Sequence, residues 1–394
     1  MSEVAQAPHS SPDGHIPQLR FPEFNVSWNE YKLGSITDVV DSLHTTPKDY
    51  VSSGFPMIRV VDVSNIELDL NKCLNVSEET YRQFTKKYQP KVGDVVLSRV
   101  GTCGASIMLR TKDNVCLGQN TVLLHPKINK DFYHILVKSN IFQVQVSRRV
   151  VGSTQKTLSL KDLKLFKLNI PAKPEQQKIA EFLTAVDNKI EQLSKKQALL
   201  GEYKKGLMQQ IFSQAIRFKA DDGSEFPDWE EKKLRDVAKI TTGSSNREDS
   251  GLDGQYTFFD RSEDIRTSDR YLFDGKAVIV AGEGSRFPPK YFEGKFDLHQ
   301  RTYAIMEFVE ANSKYIFYFV DKQKNYLLRY AVGSTVKSLR LPIFQKMPVS
   351  LPSLPEQTKI ANFLSSIDNK IEQVGGQLDK SKQFKKALLQ QMFV

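Results

Sequence analysis

The 394 residues are enough for two or three domains, and 40% hydrophobic with 26% charged side chains excludes a chain that is disordered throughout. Lysine and arginine number 56 against 46 acids, and the net charge of +10 favours a polyanionic partner such as nucleic acid over an acidic small substrate. The three cysteines, Cys73, Cys103 and Cys116, form no C-x-x-C pair, which excludes a disulfide framework and a cysteine zinc site, and no apolar run or cationic start marks a spanning helix or signal peptide. The expected location is cytoplasmic, with no membrane partner.

In chain order, residues 1–16 read as a flexible N-terminus and 17–173 as a first globular segment. After SWNEYKLG around Trp28, GDVVLSRVGTCGASIML from Gly93 breaks β-branched runs with glycines, a strand followed by a Gly-rich turn carrying Ser98, Arg99 and Thr102. Gln119 and Asn120 follow, then an apolar stretch from Phe132 that periodicity leaves open between helix and strand, then Ser153, Thr154 and Lys156 in VGSTQK. Over 174–213 the pattern becomes one long helix. Ile179, Leu183, Val186, Ile190 and Leu193 advance in steps of four and three, the spacing of a coiled-coil seam. Pro174 and Glu175 suit its first turn, where a missing N–H costs nothing and a carboxylate faces the positive end of the dipole.

The second globular segment, 214–354, opens with DWEEKKL around Trp229 and has its strand and Gly-rich turn in KAVIVAGEG from Lys276. Ser285 and Arg286, then Gln300 and Arg301, then the ambiguous apolar stretch from Lys314, then Ser334, Thr335 and Lys337 repeat the order of the first half. A second long helix, 355–394, puts Ile360, Leu364, Ile367, Ile371 and Val374 on the same seam, with Gly375-Gly376 as a weak point costing roughly 1 kcal/mol per glycine.

The chain is therefore a tandem repeat. PEQQKIAEFLTAVDNKIEQL from Pro174 and PEQTKIANFLSSIDNKIEQV from Pro355 agree at about 14 of 20 positions, and the same offset of about 181 residues pairs the two VGST phrases and KKGLMQQIF with KKALLQQMF. Near the two tryptophans the offset is about 201, so the first half carries about 20 extra residues in its middle. Two helices of some 36 residues, roughly 54 Å each, joined through about 16 residues before Trp229, pair more readily antiparallel than parallel. The expected fold class is α+β: two globular domains separated by an antiparallel coiled coil of the two long helices, with pseudo-two-fold symmetry.

No catalytic constellation has workable spacing. Gly282 and Gly284 lack a third glycine or a P-loop lysine; RFPPKYF at Arg286 lacks the polar and aromatic residues of an adenine methyltransferase motif; Asp228, Glu230 and Lys232 are too close to form a nuclease site. The six histidines show no metal-binding spacing, so no metal is expected. Binding remains. Gln119, Asn120, Gln300 and Arg301 have the paired donors and acceptors that fit adenine and guanine edges, while Ser98, Arg99, Thr102, Ser153, Thr154, Lys156, Ser285, Arg286, Ser334, Thr335 and Lys337 supply hydroxyls and cations for phosphates.

With RFPEF…W…KLG opening the first half and DWEEKKL its counterpart in the second, GSTQKTLSLKDLKLFKLNIPAKPEQQKIAEFL closing the first, and the KKGLMQQIF tail, the chain resembles the specificity subunit of a bacterial type I restriction-modification system over almost its whole length from Pro17. The resemblance implies a non-catalytic subunit in which each target-recognition domain reads one half of a split site in double-stranded DNA. It implies that the helices set the spacer and dock two methylation subunits that use S-adenosylmethionine to methylate adenine N6, and that restriction subunits with ATP-driven translocation and Mg join the cleaving complex. No cofactor is expected on this chain itself. The competing readings are a DNA-independent coiled-coil scaffold and a self-sufficient nuclease-methyltransferase, the latter disfavoured by the missing motifs.

Overall fold

The computed structural model describes residues 15–63, 68–152, 156–262 and 264–394. They form two compact units, Met1–Leu193 with Gln377–Val394, and Ser194–Gly376. Most of the expected flexible N-terminus lies outside the described residues.

In the first unit an antiparallel sheet runs in the order Thr37–Asp41, Thr121–Pro126, Val95–Ser98, Ser106–Met108. The period-two geometry of a strand sorts its side chains between two cores. Val95, Leu97, Val122 and Leu124 join Phe132, Leu136 and Phe142, while Val96, Leu123 and Ile107 join Ile58, Val63 and Leu117. Strands covered on both faces read as unbroken apolar runs, as VVLS and TVLL do. A separate three-stranded sheet holds Phe55–Ile58 between Leu74–Val76 and, in parallel, Cys116–Leu117.

The second unit repeats the four-strand plan as Lys239–Thr242, Thr302–Met306, Phe273–Ala281, Lys290–Leu298, then extends the same sheet with Tyr256–Phe259 and Arg266–Ser268. Its alternation is the same: Val278, Val280 and Ile305 face one core, Ala277, Ile279 and Ala304 the other. The extra length of the first half falls between Asp41 and Val95. The two ambiguous apolar stretches are helices, Lys130–Lys138 and Ser313–Lys322. Asn129 Oδ1 caps the first by accepting from Phe132 N at 2.9 Å, and Asn312 Oδ1 caps the second by accepting from Lys314 N and Tyr315 N.

The long helices are Lys173–Phe212 and Leu354–Gln391, and the second runs unbroken through Gly375 and Gly376. Their Pro-Glu-Gln starts lie in the first turns, and each is also a buried knot. Glu175, 2% exposed, accepts from Arg20 Nε and Nη2, both at 2.7 Å, and from Trp28 Nε1 at 3.2 Å. Glu356, fully buried, does the same with Arg217 and Trp229 Nε1. Gln176 bonds Pro171 O and Asn129 N; Gln357 bonds Pro352 O and Asn312 N. The seam begins inside the globular cores, where Ile179 and Leu183 pack beside Trp28 and Phe132, and Ile360 and Leu364 beside Tyr315 and Phe344. Val186, Ile190 and Ile371 are partly buried; Leu193, Ile367 and Val374 are buried.

Within each unit the start of one long helix meets the end of the other, an antiparallel contact. In the first unit Lys385 pairs with Asp187 and Leu388 and Met392 enter the core. In the second, Lys204 Nζ lies 2.6 Å from Asp368, and Met208 and Ile211 enter the core. Asp187 and Asp368 are repeat equivalents, as are Lys204 and Lys385, so the two units contain one contact in two copies.

Candidate nucleic-acid interface

The segments that carry the described candidate binding residues converge on one loop cluster in each unit, pinned by the same backbone bonds. In the first unit Arg99 N donates to Asn120 O at 3.1 Å and Leu158 N donates to Arg99 O at 2.8 Å. In the second, Gly282 N donates to Arg301 O at 2.9 Å and Leu339 N donates to Gly282 O at 2.7 Å. Val100 bridges Thr157 as Glu283 bridges Ser338. The Gly-rich turn, the polar turn before the next strand and the segment after VGST are thereby brought together, and the turn at Gln119 needs Asn120 in the left-handed region at φ 67°, which asparagine tolerates better than most residues.

Within the first cluster Gln119, Thr102 and Lys156 are exposed and Asn120 partly so. Ser98 corrects its expected role as a phosphate contact: it is fully buried, and its hydroxyl donates to Val100 O at 3.1 Å. Arg99 is likewise no free cation, since its Nε lies 3.3 Å from Asp41 and Nη2 approaches His44. Ser153 and Thr154 lie outside the described residues. Cys103, whose thiol burial pushes up, donates to Arg99 O and Lys156 O and so helps close this loop.

In the second cluster Ser285, Arg286, Gln300, Arg301, Ser334 and Thr335 are exposed, and Lys337 is half-buried in a short strand against Gly284. Gln300 Nε2 donates to Asn246 Oδ1 at 2.6 Å. Arg301 Nη1 donates to Glu283 Oε1 at 2.8 Å, and Arg261 Nη1 lies 3.4 Å from Glu283 Oε2. Gln300, Arg301, Arg261 and Glu283, with Arg247, Asp260 and His299, line a cavity of about 210 Å³. Burial, with Arg301 and Arg261 nearby, holds His299 below the usual imidazole range. Although burial works against it, hydrogen bonds from Ser262 hold Asp260 below the usual carboxylate range. His299 Nδ1 accepts from Arg301 N at 3.0 Å, which leaves the ring proton of the neutral form on Nε2.

The sequence pattern of the type I restriction modification DNA specificity domain matches this chain twice, over residues 25–200 and 227–380. The chain belongs to that family. Among its relatives in the type I specificity family, a putative specificity subunit of the restriction enzyme MjaX from Methanocaldococcus jannaschii is 25% identical over 390 residues, spanning 91% of this chain and 89% of the relative. The EcoDI specificity subunit from Escherichia coli is 31% identical over 166 residues, 41% of this chain and 37% of that subunit. The fold is shared with the crystal structure of a type I restriction-modification S subunit from M. genitalium, at a TM-score of 0.65 and 15% identity over 96% of this chain and 99% of the other.

Sequence reasoning missed the specificity domain's Arg247, Arg261, His299 and Glu283. None has a repeat counterpart of the same chemistry: Val100 stands where Glu283 does, and Gly118 where His299 does. Among the described residues no group of His, Cys, Asp or Glu could hold a metal ion, and no helix is long and apolar enough to cross a membrane.

Proposed function

We propose that this chain is the DNA-specificity subunit of a type I restriction-modification complex, each unit reading one half of a bipartite asymmetric site while the long helices set the spacer and dock two methylation subunits. The observation that carries this reading is the loop cluster formed twice on one backbone framework with different side chains, Gln119 and Asn120 in one and Gln300 and Arg301 in the other. One scaffold presenting two sets of base-reading groups suits two different half-sites.

The helices support docking by identical partners. Packing against each other would keep seam residues alike, yet solvent-facing positions are alike too: Asn188, Lys189, Glu191 and Gln192 recur as Asn369, Lys370, Glu372 and Gln373, all exposed. Lys205, Gln209 and Gln210 recur as Lys386, Gln390 and Gln391. Tyr203 and Phe384, at equivalent places, are 56% and 52% exposed, and exposed aromatics amid polar side chains suit interface anchors. Methyl transfer with S-adenosylmethionine, and ATP-driven translocation with Mg, belong in this reading to the partner subunits, and the DNA-recognition subunit is itself non-catalytic.

The test is to combine the full chain with methylation subunits and map N6-methyladenine on genomic DNA. The expected product is methylation at one split, asymmetric site that disappears when the chain is omitted. Methylation without sequence selection would favour a scaffold, and transfer by the pure chain alone would favour an enzyme.

A further inference from the structure

The two loop clusters differ in chemistry at equivalent backbone positions. Where the first unit places Asn120, the second places Arg301, and where the first has Val100, the second has Glu283. Glu283 is 17% exposed and anchored in a strand, whereas the Arg301 and Arg261 side chains that it engages are 64% and 61% exposed. A carboxylate fixed beneath two exposed guanidiniums holds each by one edge and leaves the other edge open. The cavity carries three guanidiniums, from Arg247, Arg261 and Arg301, against two carboxylates, from Asp260 and Glu283.

We infer that Arg301 is a guanine-reading residue of the second half-site, with Glu283 as the positioning residue that aims it. The inference rests on the DNA-specificity reading and adds the base class to it. The carboxylates favour a base over a phosphate: set against three guanidiniums, Glu283 and Asp260 cancel most of the cavity's positive charge, so it attracts a phosphate oxygen far less than three unpaired arginines would. A guanine edge is neutral and offers O6 and N7 side by side, which match two parallel N–H groups of a guanidinium. Bracing restricts the arginine before binding, so less rotamer freedom is lost when the base arrives. The turn itself is fixed, because Gln300 N donates to Ser245 O at 2.9 Å and Thr302 N to His299 O at 2.9 Å. The first unit carries no arginine on this turn itself: Arg59, which lies against Gly118, is paired with Asp62, and Arg99 with Asp41. Its Gln119 presents an amide, the group whose donor and acceptor fit adenine N6 and N7.

The test uses the full chain assembled with methylation subunits, in competition binding between the cognate duplex and duplexes altered one base pair at a time. Arg301→Ala is expected to abolish preference at one G·C pair of the second half-site, with cognate affinity falling about tenfold to a hundredfold. Discrimination in the first half-site should be unchanged, which also shows that the variant is folded. Glu283→Gln, which keeps the shape but not the charge, is expected to weaken discrimination at that same pair and to raise affinity for unrelated DNA. A uniform loss on all duplexes with a shallower salt dependence would make Arg301 a phosphate contact and overturn the inference, as would a second half-site without guanine. A wild-type complex that selects no sequence would instead overturn the DNA-specificity reading itself.

Discussion

Replacing Glu175 by glutamine should unfold the first unit far more easily than the matching change, Glu356→Gln, unfolds the second. Glu175 receives a two-pronged fork from Arg20, both contacts at 2.7 Å, and the Arg20 side chain is only 10% exposed. Removing the negative charge leaves that guanidinium buried without a counter-charge, and breaking one side of a buried pair costs about 3 to 5 kcal/mol. Arg217 is 21% exposed, its two contacts to Glu356 are longer at 3.0 and 3.3 Å, and two backbone carbonyls, of Phe226 and Pro227, accept from it where Arg20 has one, Val26 O. Water and those carbonyls can take over part of the role, so the loss there should be about 2 kcal/mol. The chain has two tryptophans, one in each knot, so each unit can be followed alone. Urea unfolding by fluorescence of Glu175→Gln with Trp229→Phe reports on the first unit, and Glu356→Gln with Trp28→Phe on the second, each against its single-tryptophan parent. A loss below about 1 kcal/mol for Glu175→Gln, or an equal loss in both units, would refute the argument from burial and geometry.

Gly376→Ala should stabilise the second long helix by up to about 1 kcal/mol, because a Cβ there meets nothing within 4 Å, while Gly375→Ala should gain less because its Cβ would lie 2.7 Å from Gln197 Nε2; thermal melts compare them. His134 is depressed to about 3 by burial, with Lys138, Arg110 and Lys385 adding to it. Its unfolded value is near 6.5, so the first unit should keep its full stability above that pH and lose up to about 3 kcal/mol by pH 4.5, and His134→Gln should flatten this slope in urea titrations. Matched four-residue insertions after Lys195 and Gly376 keep both Lys–Asp contacts and lengthen each helix by about 6 Å, close to two base-pair steps. Methylome mapping should then find a longer spacer between unchanged half-sites, and altered half-sites with the old spacer would contradict the helix ruler.

The repeat and its long helices were legible because local pattern encodes them: heptad steps and about 14 of 20 shared residues need no tertiary knowledge. The positions of Gln119 with Asn120 and Gln300 with Arg301 could be matched by offset alone. Glu175 was legible only as a helix-start residue, since its partners Arg20 and Trp28 are far away in sequence and nothing local signals the pairing. Ser98 was misread because its hydroxyl follows a glycine-bounded strand, yet strand burial continues through it. Glu283 was missed because Val100 stands in its place in the first half, and Arg261 because it lies in the drifted middle of the repeat, so comparison between the halves marks no shared chemistry at either.

The first unit is built from two pieces of chain, residues to Leu193 and residues from Gln377, whereas the second is continuous. Leu19 N donates to Gln391 O, and Phe393 packs edge-on against Trp28 at 6.2 Å between ring centroids. During synthesis the second unit therefore has all its parts first, and the unit that begins the chain is the last to close. Until residues 377–394 arrive, Trp28, Phe132 and the open end of the first long helix lack their cover, and that interval is when an incomplete chain would be most exposed to proteases and to self-association.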